Sequence, residues 1–158
     1  MGIDNHMYIK FDAKSMNEGV ARMTAAAFMM NMNPTLDEIQ DVKTAVSEAV
    51  TNAIIHGYPE ENMMSNQQGE EHQVKNEIEM VCVQEKQRLQ ISIIDKGVGI
   101  ENVEEARQPF FTTKPEQERS GMGFAFMETF MDILEVESKV GQGTKVTMTK
   151  YIERTDEQ

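Results

Sequence analysis

Three short stretches of this sequence carry polar side chains at spacings that could do chemistry. Glu48, Asn52 and His56 recur every four residues, so a helix through them sets a carboxylate, an amide and an imidazole on one stripe. At 100° per residue that stripe lies about 130° from the centre of the helix's apolar face. Asp95-Lys96-Gly97-Val98-Gly99 ends an apolar run with an acid followed by two glycines. Glycines there permit a tight turn and close approach of backbone to a ligand. A carboxylate so placed accepts hydrogen bonds from an amine such as the adenine amino group. Gly121-Met122-Gly123 stands directly before an apolar helical segment, where backbone N–H groups and the helix dipole converge on a point suited to an anion.

Each stretch also has an ordinary reading: the solvated side of a helix, a capped turn, or a glycine-rich helix start. The third glycine of G-x-G-x-x-G would fall at Asn102, so the first glycine pair is not a dinucleotide fingerprint, and no G-x-x-x-x-G-K-[ST] sequence occurs anywhere. Between the glycine pairs lie about twenty residues with Arg107, Thr112, Thr113, Lys114 and Arg119. They gather positive charge and hydroxyls that could fold over a polyphosphate. Loops of this length inside a compact domain are usually lids or binding elements. His6, His56 and His72 are scattered and Cys82 stands alone, so zinc spacing is lacking.

Composition narrows the classes. With 158 residues the chain is the size of one domain, and we expect a single unit over 1–158. Lys and Arg total 15 against 27 Asp and Glu, a formal charge of -12. Such a field disfavours direct binding to nucleic acid or anionic lipid. One cysteine allows no internal disulfide, and no apolar run approaches the roughly 20 residues of a membrane span, so a cytoplasmic location is expected.

The elements that must position these residues follow from periodicity and caps. Met7 to Phe11 reads as a short strand. Ser15 with Glu18 forms an S-x-x-E capping box opening a helix to about Asn31, which Pro34 ends. Thr35 with Glu38 repeats the box at the start of a longer helix, with Ile39, Val42, Val46, Val50 and Ala53 as its buried face and Gly57 as a left-handed C-terminal cap. From 59 to 76 the sequence is polar and reads as a solvated loop or insertion. Glu77 to Gln84 and Leu89 to Asp95 predict an antiparallel hairpin, both strands largely buried. Phe124 to Ile133 suits a third helix. Leu134 to Ser138 and Thr144 to Tyr151, joined through Gly141-Gln142-Gly143, predict a closing hairpin with a frayed tail after Ile152.

In chain order, E-x-x-x-N on a helix, D-x-G-x-G after a strand, a lid and then G-x-G opening a helix resembles the GHKL ATPase/kinase superfamily. The residues from Glu48 to Gly57, Glu105 to Pro109, Phe111 to Pro115 and Glu118 to Gly123 are similar, within it, to the anti-sigma kinases of endospore-forming bacteria. The similarity runs from about Met7 to Tyr151, interrupted by the segment from Pro59 to Asn76. It implies a Bergerat-type α/β two-layer sandwich, a mixed, mostly antiparallel sheet with helices on one face.

The resemblance further implies a serine kinase using ATP and Mg²⁺. Asn52 would supply an oxygen to the metal, Asp95 would read the adenine amino group, and Gly97, Gly99 and Thr144 would shape the base pocket. Thr113, Lys114, Ser120, Gly121, Met122 and Gly123 would surround the phosphates, with Glu48 as general base and Arg119 near the γ-phosphate. It implies a homodimer that sequesters a sporulation sigma factor and phosphorylates an anti-anti-sigma antagonist, with Arg22 touching both partners. A kinase acting on a stress-response sigma factor, and a nucleotide-gated sequestering module without catalysis, stand as alternatives.

Overall fold

Five strands form one antiparallel sheet in the order β1-β2-β3-β5-β4. They are β1 (Asn5–Asp12), β2 (Glu77–Glu85), β3 (Arg88–Asp95), β4 (Ile133–Lys139) and β5 (Gly143–Tyr151). The computed structural model describes residues 2–59, 76–108 and 123–153. Every pairing among these strands is antiparallel, so the parallel component expected of a mixed sheet does not occur among the described residues.

Among the described residues four α-helices accompany the sheet: α1 (Met16–Met29), α2 (Leu36–Asn52), the single-turn α3 (Val103–Ala106) and α4 (Gly123–Phe130). The three longer ones, α1, α2 and α4, cover a single face, α1 over β1 and β2, α2 over β3, and α4 over β4. Alternation in the strands explains the layering. Ile78, Met80 and Cys82 of β2, Leu89, Ile91 and Ile93 of β3, and Val146 and Met148 of β5 all point to the helices and are buried. They meet Val42, Val46, Val50 and Ala53 of the second helical segment, the period-3.6 face read from the sequence. The opposite face carries exposed Tyr8, Lys10, Glu135, Glu137 and Lys145. Because β2 buries only alternate residues, with Val81 and Val83 half-exposed, the expectation of two largely buried strands holds less well for β2 than for β3. Burial pushes the Cys82 thiol up to about 12, which keeps it an inert core group.

The caps divide the expectations. Thr35 Oγ1 accepts from the Glu38 N–H at 3.1 Å while Glu38 accepts from the Thr35 N–H at 2.8 Å, a complete capping box. The box predicted at Ser15 does not form, since its side chain makes no cap hydrogen bond. Glu18 instead accepts from the Ser47 hydroxyl of α2 and pairs with Arg22 at 3.8 Å. A tertiary contact has taken the carboxylate that the local box needed. Gly57 is likewise no left-handed cap: among the described glycines only Gly99, Gly141 and Gly143 have positive φ. After α2 the chain tightens through a π-turn, Ala53–Gly57. The third predicted helix stops at Phe130, and Ile133 opens β4. The tail beyond 153 and the polar stretch 60–75 lie outside the described residues.

Candidate functional site

One row of the sheet turns polar at its β3, β5 and β4 positions. Pairing sets Phe11, Ile78, Asp95, Thr144 and Ser138 side by side across all five strands. Asp95 and Thr144 are buried, so this row puts a carboxyl and hydroxyls on the helix-covered face at one end of the sheet. Ser138 and Thr144 hydroxyls share a hydrogen bond at 2.8 Å, and Ser138 Oγ accepts the Ile100 N–H at 2.7 Å. The Gly97 N–H donates to Asp95 Oδ1 at 2.9 Å.

Burial dominates the Asp95 carboxyl and pushes it up to about 6, against the opposing pull of hydrogen bonds from the Gly97 and Thr144 backbone. A group in that condition gains from a further donor when it ionises.

A cavity of about 940 Å³ opens over this row, lined by Asn52, His56, Asp95, Gly99, Gly123 and Thr144 among others. Its volume suits a nucleotide-sized ligand, near the upper end of the roughly 300–1,000 Å³ usual for small-molecule sites. Much of its wall is apolar, from Ala49, Ala53, Ile93, Ile100, Phe124 and Val146, which gives a flat base a dry surface. At the other pole, Asn52 ends α2 against the first residue of α4. A Cβ on Gly123 would lie 2.6 Å from Asn52 Nδ2 and 2.9 Å from Oδ1. Only glycine lets the amide sit beside that helix N-terminus.

The π-turn joins the two poles. Five residues beyond Asn52, a Cβ on Gly57 would lie 2.9 Å from the Asp95 carboxyl. The Gly57 carbonyl accepts the Val98 N–H at 2.9 Å, and a side chain on Gly97 would run into that same carbonyl. Gly97 therefore does not line the cavity; it allows the turn to close on the end of the second helical segment. Gly99, at φ 78, does line it, and a Cβ there would strike the Lys139 carbonyl.

Six of the sequence-predicted site residues, Thr113, Lys114, Arg119, Ser120, Gly121 and Met122, lie outside the described residues. Glu48 sits half-buried on α2 one turn before Asn52 and is not among the residues lining the cavity. Arg22 is on α1, paired with Glu18 and away from the cavity lining. Arg107, read with the basic stretch between the glycine pairs, is engaged otherwise: its Nε donates to Glu128 at 3.0 Å and its Nη2 to the Leu134 carbonyl at 3.3 Å. It ties α3 to α4 and β4. Residues missed from the sequence are Gly57, Ser138 and the apolar wall. A glycine directly after an N-x-x-x-H stripe was the available signal for the first. Hydroxyls facing an acid across a sheet row give none until the register is known.

Whether these residues suit a magnesium-bound nucleotide can be asked of the donors themselves. No group of three His, Cys, Asp or Glu side chains that could hold a metal occurs among the described residues. The Asn52 amide oxygen, which lines the cavity, is the donor that would meet such an ion on this side. That agrees with a metal carried in mainly by phosphates and water, as Mg²⁺ commonly is.

Comparison with known proteins identifies the family. The family model of the histidine kinase-like ATPase domain matches residues 11–150, so the fold is that of an ATPase domain of this kind. Similar curated proteins include the anti-sigma F factor of Clostridium beijerinckii, 54% identical over 147 residues that span 93% of this chain and 94% of that one. Another is the anti-sigma F factor of Anoxybacillus flavithermus, 49% identical over 151 residues, 96% and 95% of the two chains. The chain therefore belongs to the anti-sigma F factor family. Among solved structures, the RsbU and RsbW domains of a Mycobacterium tuberculosis protein match with a TM-score of 0.62 at 19% identity, covering 95% of this chain and 32% of that chain. That likeness supports the fold. No helix among the described residues is long and apolar enough to cross a membrane.

Proposed function

We propose that this protein sequesters a sporulation sigma factor and uses Mg-ATP to phosphorylate a serine of an anti-anti-sigma antagonist. The observation that carries the reading is the meeting of Asn52, Asp95, Thr144 and Gly123 around one cavity in a chain about half identical to anti-sigma F factors over nearly its whole length. Asp95 and Thr144 hold the adenine end, and Asn52 offers its amide oxygen to the metal that accompanies the phosphates. When bound, that ion neutralises phosphate charge.

The antagonist's serine oxygen forms a bond to the γ-phosphorus as the bond to the ADP leaving oxygen breaks. The hydroxyl proton passes to the Glu48 carboxylate. Arg119, with Lys114 and the backbone from Ser120 to Gly123, meets the charge on the transferred group. The working unit is a cytoplasmic homodimer, a single kinase domain per chain, with Arg22 on the surface that meets both partners.

Incubating the chain with γ-labelled ATP and a candidate antagonist tests this: label on serine is expected. A second reading, nucleotide-gated sequestration without catalysis, draws on the absence of Glu48 from the cavity lining. Tight sigma-factor binding in the presence of nucleotide, with no label transferred, would select it.

A further inference from the structure

The turn that carries Asp95 has three consecutive amides after it, and each has a partner. The Gly97 N–H goes back to Asp95 Oδ1 at 2.9 Å. The Val98 N–H goes to the Gly57 carbonyl at 2.9 Å. The Lys96 N–H goes to the Tyr58 hydroxyl at 2.7 Å, and that hydroxyl donates in turn to the Glu77 carbonyl at 2.8 Å. Two of the three partners are thus supplied by adjacent residues at the end of the π-turn.

Tyr58 does more than close a loop. Its ring is half-buried against the core, which fixes where the hydroxyl stands, while Lys96 is exposed. Without the hydroxyl, the Lys96 N–H would turn to water, and the peptide between Asp95 and Lys96 would be free to rotate. The Asp95 carboxyl is held at close quarters, since Gly57 abuts it and Gly143 packs on its backbone, and it turns with any rotation of that peptide. A small rotation therefore changes the direction in which the carboxylate presents its lone pairs, and hydrogen-bond strength falls steeply with misalignment.

We propose that Tyr58 is a positioning residue for base recognition, acting through Asp95 to set selectivity for a 6-amino purine. The inference rests on the reading that Asp95 receives the adenine amino group, and its test separates the two. ADP and IDP differ at the six-position, amino in one and oxo in the other. Calorimetry on the full chain should show ADP binding tighter than IDP. Tyr58→Phe keeps the ring and loses the hydroxyl. It should weaken ADP about five- to tenfold, the worth of roughly one hydrogen bond, and leave IDP within about twofold.

Equal weakening of both nucleotides, or no change in either, overturns the role of Tyr58. Asp95→Asn serves as the control and should bring the two affinities together. If it leaves the ratio untouched, the base-reading role of Asp95 fails and the Tyr58 inference fails with it. If it collapses the ratio and Tyr58→Phe does not, only the inference fails. A measurement that needs no variant is amide hydrogen exchange in the wild-type protein. The Lys96 N–H should be protected despite its exposed side chain, and exchange at the rate of an unstructured peptide would sink the idea.

Discussion

Replacing Asp95 by asparagine should make the free protein more stable while spoiling its hold on adenine nucleotides. The carboxyl is 6% exposed and titrates at about 6 in the fold against 3.8 unperturbed, chiefly because burial disfavours its charge. A raised carboxyl means that the folded chain binds the proton more tightly than the unfolded one, so stability is lost as pH rises from below 3.8 through about 6. At about 1.36 kcal/mol per pH unit, the ionised group costs the ligand-free fold roughly 3 kcal/mol at pH 8 and only about 0.5 kcal/mol at pH 4. Asparagine keeps the shape and the oxygen that accepts from Gly97, and it never ionises. Its amide N–H groups need partners, which offsets about 1 kcal/mol. Urea unfolding of both proteins should therefore show the variant more stable by about 1–3 kcal/mol at pH 8, with most of the gap gone at pH 4. Over the same range calorimetry should show weaker ADP binding. A variant less stable at pH 8, or an offset equal at both pH values, would refute the claim that burial of the charge sets the energetics of this site.

Other perturbations separate the remaining roles. Glu48→Gln should slow phosphotransfer in single-turnover assays by about 10²- to 10⁴-fold, the usual worth of a general base, with ADP affinity retained; unchanged transfer would remove Glu48 from that role. Gly123→Ala brings a methyl group within 2.6 Å of the Asn52 amide nitrogen and should cut the magnesium-dependent part of ATP affinity by about tenfold, while an unaltered magnesium dependence would dissociate Asn52 from the metal. Thr35→Ala removes the cap of α2 and should cost about 1 kcal/mol in urea unfolding, a loss that an unshifted midpoint would contradict.

What could be read from the chain in advance divides by distance along it. The Thr35 box formed as written because both partners lie within four residues and the one tertiary claim on Glu38, from the Glu153 N–H at 2.9 Å, uses its other carboxylate oxygen. The same four-residue signal at Ser15 did not survive, because the Ser47 hydroxyl and Arg22 offer Glu18 a better site between two helices. Gly57 was legible as a special position but for the wrong reason. A glycine after a helix suggests a left-handed cap, yet this one answers to the carboxyl of Asp95, which arrives from another strand. The polar ends of the cavity were visible as motifs, Asn52 by its four-residue recurrence with Glu48 and His56, and Asp95 by the two glycines that follow it. Its apolar walls were not, because Ile93 and Val146 look like any other strand residue.

The placement of Asp95 shows why the rest had to wait for three dimensions. Along β3 the side chains alternate, and sliding the β3–β5 pairing by one residue would face Thr144 away from the cavity. What prevents the slip is a contact that no local pattern announces. Gly143 takes φ 105, and a Cβ there would strike the Asp95 carbonyl oxygen, so the strand can begin only with glycine against that point. Ser138 then hydrogen-bonds both the Gly143 carbonyl at 3.1 Å and the Thr144 hydroxyl at 2.8 Å, which locks the β4–β5 hairpin to the same register. The Asp95 end of the cavity is thus fixed by the last hairpin of the sheet, and the Asn52 end by the close approach of α2 and α4. Neither pole could shift without disturbing the π-turn between them, since its last residue touches one pole and its first follows the other.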